Sequence, residues 1–247
     1  MIRPYTIIFS TTTIDGRIAS SSGYSMLSCR CDKLRLYMLR GFADAVMVGA
    51  NTVLVDNPRL VKRIEPKTRR YYRVVVDCKL RLEPSLRLFS VKKPPVIIVA
   101  CSDAPTEKKQ LLRKAGAEIL EVGERGVIDL AEALAKLYEI YGIRLLLVEG
   151  GGVLNYSLVK HRVVDEIRLT ITPYVFAAGR SMFHDPLEKG FRSTSESPRL
   201  KLACIEMCPC GRCVHLVYRV EDVAIPPTSN ASPPPPCLAK ELERLCS

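Results

Sequence analysis

The stretch Leu147-Val148-Glu149-Gly150-Gly151-Gly152-Val153-Leu154-Asn155, LVEGGGVLN, decides how the chain is read. An apolar run, RLLLV, ends on one carboxylate; three glycines follow, and a helix-like pattern resumes. Glycine loses more backbone freedom on folding than any other residue, so three in a row at a strand tip demand a use for bare backbone. A glycine turn between strand and helix lets backbone N–H groups approach a pyrophosphate, helped by the field of the helix N-terminus. The plain alternative is a tight turn without a ligand. The loop has neither the G-x-G-x-x-G spacing of a dinucleotide fingerprint nor the lysine of a P-loop.

Outward from this stretch, strand-like and helix-like patterns alternate. YTIIFSTT, DAVMVGA, RVVVD and PPVIIVAC read as strands, and the last three lack polar alternation, which marks strands covered on both faces. CDKLRLYMLRGF, APTEKKQLLRKAG and IDLAEALAKLYEIYG read as helices, the latter two closed by Gly116 and Gly142. VDEIRLTITP is a further strand. RLKLACIEM and CVHLVYRV form a hairpin, with Pro209 and Gly211 at the bend. The order predicts an α/β fold: a mostly parallel central sheet, helices on both faces and a C-terminal antiparallel hairpin. Residues 1–221 form the domain. Residues 222–247, with IPPTSNASPPPP, are a Pro-rich tail whose terminal CLAKELERLC either docks back as a short helix or frays.

The 247 residues are 47% hydrophobic and 26% charged, ordinary for a globular chain. No apolar run reaches the roughly 18 residues that span a bilayer, and no signal peptide is recognisable, so a cytoplasmic location is expected. The net charge is +11, and VKRIEPKTRRYYR at 61–73 carries six Lys or Arg and one Glu. Such a run attracts nucleic acid or a phosphorylated small molecule, or is simply a solvated loop. No helix-turn-helix or zinc-finger spacing supports the nucleic-acid reading. Of ten cysteines, Cys204, Cys208, Cys210 and Cys213 cluster near His215. They lack paired C-x-x-C knuckles at finger spacing, so no metal is expected. Cys237 and Cys246 are candidates for a disulfide across the tail.

Ligands of open α/β sheets bind beyond the strand C-termini. At MVGANTVLVDNPRL a strand ends at Val48-Gly49, Asn51 is placed to cap a short helix, and Thr52 and Asp56 share a face at i and i+4. At VVVDCKLRL, Lys79 and Arg81 follow a strand end and suit a phosphate monoester such as the one that distinguishes NADP from NAD. Glu149 stands at the tip of a third strand. No Ser-His-Asp arrangement is visible among the three histidines. One glycine loop, one basic corner and one threonine-bearing strand end together point to a dinucleotide and redox chemistry.

STTTIDGRIA, MVGANTVLVDNPRL, VVVDCKLR, LLLVEGGGVLN and VDEIRLTITP occur in the order and spacing of the riboflavin-pathway reductases, which the chain resembles over about residues 4–220, most of all in the single-domain archaeal form. The resemblance implies a dihydrofolate-reductase-like fold, NADPH and a homodimer. It further implies reduction of the ribosyl side chain of 2,5-diamino-6-ribosylamino-4(3H)-pyrimidinone 5′-phosphate to the ribitylamino product. No H-x-E motif is present, so the deaminase domain fused to bacterial forms is not expected within the chain. On the cofactor side the resemblance implies Gly49, Thr52, Asp56, Cys78, Lys79, Leu80, Arg81, Ile128, Gly150, Gly151, Gly152 and Val153. On the substrate side it implies Ser25, Arg40, Leu60, Arg63 and Glu149, with Arg40 and Arg63 as phosphate forks and Lys62 as an alternative to Arg63. Glu149 and Asp56 are the candidate catalytic carboxylates, Asp32 a distant third. Val153 stands where the family commonly has Thr, which removes one hydroxyl. The competing expectations are a related pyrimidine or pteridine as substrate, and, ranked last, a nucleic-acid-binding protein.

Overall fold

The computed structural model describes residues 1–67 and 70–246; positions 68 and 69 of the basic segment lie outside them. In chain order the elements are β1 Tyr5–Thr12, β2 Arg17–Ala19, α1 Arg30–Phe42, β3 Ala45–Gly49, α2 Ala50–Asp56, β4 Tyr72–Val76, β5 Val96–Ala100, α3 Thr106–Lys114 and β6 Ala117–Glu121. They continue with α4 Leu130–Tyr141, β7 Leu145–Val148, α5 Gly152–Lys160, β8 Glu166–Ile171, β9 Arg180–Ser181, β10 Leu200–Met207, β11 Val214–Val220 and α6 Ala239–Cys246.

A nine-stranded sheet runs β10-β11-β8-β1-β7-β3-β4-β5-β6, and β2 pairs with β9 in a separate ribbon. From β8 to β6 every pairing is parallel, whereas β11 and β10 are antiparallel. Period two divides the side chains between faces. Ile8, Met47, Val74, Ile97 and Val148 pack under α4 and α5 through Leu134, Leu137, Leu154 and Leu158. On the other face Val46, Val48, Val75 and Ile98 meet Val53 of α2 and Leu112 of α3, while Ile7, Phe9 and Leu147 meet Met38 and Leu39 of α1. Each fully buried Leu, Val or Ile contributes about 1.5–3 kcal/mol, so these two faces hold the sheet.

The chain returns from β6 to insert β7 between β1 and β3. That reversal is the switch point at which open sheets bind ligands, and LVEGGG lies on it. The long helix α4 is fixed at both ends. The Asp129 carboxylate accepts from the N–H groups of Ala131 and Glu132, and Gly142 closes the helix at φ 63°.

The structure departs from the sequence expectations in three places. AEILE, residues 117–121, is an edge strand. Asn51 lies within the first turn of α2 and does not cap it; Gly49 occupies the cap position without a side-chain bond. Cys237 and Cys246 are not bonded to each other: the pairs are Cys204–Cys237, Cys31–Cys246 and Cys78–Cys101. The terminal segment docks, with Leu238 and Leu242 of the tail entering the α1 cluster. Among the described residues no helix is long and apolar enough to cross a membrane.

Candidate active-site cleft

A cleft of ≈ 1520 Å³ opens over the C-terminal ends of β1, β3, β4 and β7. Its wall collects Ser25, Gly49, Thr52, Asp56, Cys78, Lys79, Arg81, Ile128, Glu149, Gly150, Gly151, Gly152 and Val153. Stretches spread over more than 120 positions of sequence therefore share one surface. Hydrogen bonds lock its floor: Gly49 N–H donates to Gly150 O at 2.8 Å, and Glu149 N–H to Met47 O at 2.9 Å. Both α2 and α5 start without a side-chain cap. Their first-turn N–H groups are the unsatisfied donors of any helix start, and here they border the cleft.

The three glycines serve three different ends. Gly150 sits at φ +92°, where an L side chain is strained. A Cβ on Gly151 would stand 3.3 Å from Thr52 Oγ1. A Cβ on Gly152 would fall 2.3 Å from Ser181 O, a backbone clash. The glycines thus open the strand tip on one side and admit the 181–184 segment on the other; His184 N–H donates to Gly152 O at 3.1 Å. Beside Gly150 is the buried side chain of Asn155, whose Nδ2 donates to Met182 O at 3.0 Å while its Oδ1 has no partner. A buried orphan acceptor next to bare backbone fits a ligand that brings a donor.

At the basic corner Lys79 and Arg81 are exposed. Arg81 Nη1 donates to Asn51 Oδ1 at 2.8 Å, and its Nε lies 3.5 Å from Asp77 Oδ1. Burial pushes the Asp77 carboxyl up, opposed by the Leu82 N–H and by Arg81. Leu80 is fully buried at φ 51° and packs into the α2–α3 core. Its side chain does not reach the cleft, and neither does that of Leu60, likewise buried, at φ 56°.

The residues expected on the substrate side are long side chains. Arg40 of α1 reaches the strand tip and grips Glu149 through Nε–Oε1 and Nη2–Oε2, both 2.6 Å, while Nη1 donates to Lys62 O at 3.2 Å. The fork is present, but its partner is Glu149. Burial works to lower the Arg40 pKa; the charge and hydrogen bonds of Glu149 outweigh it and leave it above its ordinary value. The Arg63 guanidinium lies 4.6 Å over the Tyr71 ring, and Arg63 Nη1 and the Tyr71 hydroxyl are buried without hydrogen-bond partners. Burial pushes the Tyr71 hydroxyl up. Ser25 and Glu149 line the cleft; Arg40 and Arg63 stand behind it.

The cleft residues that escaped the sequence reading include Arg180, His184 and Asn155. Burial raises the Asp56 carboxyl pKa, and the charge of Arg180 opposes it. Of the described cations in the basic run 61–73, Arg73 turns inward, whereas Lys62, Lys67 and Arg70 are exposed. Arg73 is buried and donates to the carbonyls of Leu88, Val91 and Pro94. Lys62 and Lys67 stack near Tyr37 and Phe42.

Comparison with known proteins agrees with this geometry. The family model of the RibD C-terminal domain matches residues 4–216. The 2,5-diamino-6-ribosylamino-4(3H)-pyrimidinone 5′-phosphate reductase of Methanothermobacter thermautotrophicus is 43% identical over 176 residues, 70% of this chain and 80% of that protein. The protein of the same name from Archaeoglobus fulgidus is 36% identical over 189 residues, 72% of this chain and 84% of its own. Among solved structures, Acinetobacter baumannii RibD superposes with a TM-score of 0.74 at 22% identity, over 89% of this chain and 58% of that one. This chain therefore spans little more than half of that RibD. The riboflavin biosynthesis reductase Rib7 of Saccharomyces superposes at 0.68 with 18% identity, over 90% and 91%. At such identities the two structures speak for the fold alone. The sequence match decides the family: the chain belongs to the RibD C-terminal domain family.

Proposed function

We propose that this protein is the NADPH-dependent reductase that converts the ribosyl side chain of 2,5-diamino-6-ribosylamino-4(3H)-pyrimidinone 5′-phosphate to ribityl in riboflavin biosynthesis, as a cytoplasmic homodimer. The observation that carries it is the cleft at the switch point, bordered by a glycine loop, two uncapped helix starts and a basic corner. The relatives that match the chain carry the name of this reductase. Exposed Leu202, Ile205 and Met207 on the sheet's edge strand β10 offer an apolar surface for a second copy.

The residues present fit the nucleotide. Gly150, Gly151, Gly152 and Val153 with Gly49 and Thr52 would hold the pyrophosphate. Cys78, Lys79, Leu80 (through its backbone) and Arg81 would take the adenosine phosphate, and Ile128 would flank the adenine. Bound NADPH supplies the hydride. The protein's own part is to hold the substrate and manage two protons. Opening of the ribosylamine ring breaks C1′–O4′, places a proton on O4′ and leaves a C1′=N imine. Hydride adds to C1′, and the imine nitrogen takes up a proton to become the ribitylamino N–H. Glu149, fixed by the Arg40 fork, and Asp56, with its raised pKa, are the carboxyls positioned for these transfers. Ser25 faces the same space. With Arg40 engaged, Arg63 is the remaining candidate fork for the sugar 5′-phosphate, and it would have to turn from Tyr71 into the cleft to bring its unpartnered Nη1 to that group.

The test is turnover of the diaminopyrimidine with C4-deuterated NADPH, read by mass spectrometry. The reading predicts a ribitylamino product with deuterium at C1′, and slower turnover with NADH. Unchanged substrate in the presence of a folded, NADPH-binding protein refutes it. Faster turnover of the deaminated pyrimidine would move the assignment to that neighbouring substrate.

A further inference from the structure

Six of the ten cysteines are paired in disulfides. The four free ones, Cys29, Cys208, Cys210 and Cys213, converge on one spot although Cys29 is 179 residues from Cys208. We propose that these four form a closed, structural tetrathiolate site for a tetrahedral divalent cation, zinc foremost. The site is independent of the reductase reading.

The distances approach those of a thiolate tetrahedron: Cys29, Cys210 and Cys213 form one mutual set, and Cys208 joins it through Cys29. Zn–S bonds of about 2.3 Å set an S···S edge of about 3.8 Å. Cys29 Sγ lies 3.6 Å from Cys208 Sγ, and the sulfurs of Cys29, Cys210 and Cys213 all lie within 4.8 Å of one another. These separations are far beyond the S–S bond length of about 2.05 Å and close to what one shared ion would draw together.

The backbone around them is a metal-binding knuckle. The turn joining β10 to β11, CPCGRC, supplies three of the sulfurs. Cys208 N–H donates to Cys213 O and Gly211 N–H to Cys208 O, both at 2.8 Å, with Gly211 at φ +71°. Peptide N–H groups then point at sulfur: that of Cys210 at Cys208, and those of Arg212 and Cys213 at Cys210. The fourth sulfur comes from the N-cap of α1, where Asp32 N–H donates to Cys29 Sγ at 3.3 Å. N–H donors and a helix N-terminus both favour thiolate, the ligand form. Four thiolates around one divalent cation leave two negative charges, set in a chain of net charge +11.

Burial says what kind of site it is. Cys208 and Cys213 are 1% and 3% exposed, and all four positions are filled by protein, so no place remains for water or substrate. The ion would staple the start of α1, just after the cleft-wall residues Ser25 and Ser28, to the end of the hairpin. Asp32 in the same helix turn accepts from Thr11 and Thr170, each at 2.7 Å, which ties β1 and β8 into the same corner.

The experiment uses the full chain purified without chelator, measuring zinc by elemental analysis after dialysis and then Co²⁺ in place of zinc. We expect one zinc per chain, sulfur-to-cobalt charge transfer and the strong visible bands of tetrahedral Co²⁺. Four thiols should resist alkylation until a chelator is added. Cys29→Ser and Cys210→Ser should each weaken zinc retention at least tenfold, while Cys101→Ser leaves it unchanged. If the serine variants do not fold, the wild-type stoichiometry, cobalt spectrum and thiol protection decide. Wild-type protein that retains no zinc from excess, shows no thiols after denaturation, or shows four freely reactive thiols without chelator overturns the site. So does undiminished retention by both variants.

Discussion

The two sides of the cleft are built by different means. The proposed cofactor side is a backbone surface: strand ends Gly49 and Val148, the glycine triplet and two helix starts, with local sequence dictating each. The proposed substrate side rests on side-chain pairs: Arg40 of α1 with Glu149 just past β7, and Arg63 stacked on Tyr71 within the loop between α2 and β4. Backbone surfaces tolerate few substitutions but announce themselves as glycines. Side-chain surfaces are specified pair by pair, and only the fold shows who holds whom.

The sharpest way to break that contrast is Arg40→Ala. It leaves Glu149, 11% exposed, without its partner. Loss of one member of a buried ion pair costs about 3–5 kcal/mol, so thermal denaturation should show the largest loss of stability in this set. Arg40→Ala combined with Glu149→Ala should recover part of that loss; a strictly additive double variant would mean the pair is not coupled.

Asp56→Asn comes next. Burial raises its pKa, so the proton-donating form survives to higher pH than in an ordinary aspartate. The donor is lost as pH rises through that raised pKa, so kcat/KM should fall on that limb. The variant should lower kcat by about 100-fold, the low end for a general acid, and erase the limb. A pH profile unchanged in Asp56→Asn would remove this residue from the chemistry.

Gly152→Ala tests the backbone side. Its Cβ meets the Ser181 carbonyl, and such overpacking costs about 1–3 kcal/mol. Gly151→Ala faces only the Thr52 hydroxyl at 3.3 Å and should be milder. Equal stability losses would contradict the division of labour among the glycines. The smallest effect is expected for Lys79→Ala, an exposed cation: roughly tenfold weaker NADPH binding with NADH unchanged, measured by nucleotide fluorescence. An equal loss for both nucleotides would place Lys79 elsewhere.

The sequence was most legible where backbone chemistry is local. The parallel sheet, the hairpin, Gly142 as a helix stop and LVEGGG as an edge of the cleft all follow from periodicity and glycine placement. The edge strand β6 alternates polar and apolar residues and sits between two strong helices, so its short pattern did not stand out. Asn51 has a capping residue's chemistry, yet the cap falls on Gly49 at the end of β3, and the helix starts two residues earlier than a cap at Asn51 would set it. Arg180 and His184 were invisible because the 174–191 segment has no regular pattern, and its approach depends on Gly152 lacking a side chain. The cysteines show the same limit. The sequence grouped Cys204 with Cys208, Cys210 and Cys213, whereas the fold gives Cys204 to Cys237 and brings Cys29 from the far end of the chain.

The most direct test of the cleft as the nucleotide site is amide hydrogen exchange with and without saturating NADPH. The account predicts added protection in peptides covering residues 49–56, 76–81 and 149–155, and none in α6 or the β10–β11 turn. Protection centred on residues 61–73, or a folded protein showing no change anywhere, would contradict it.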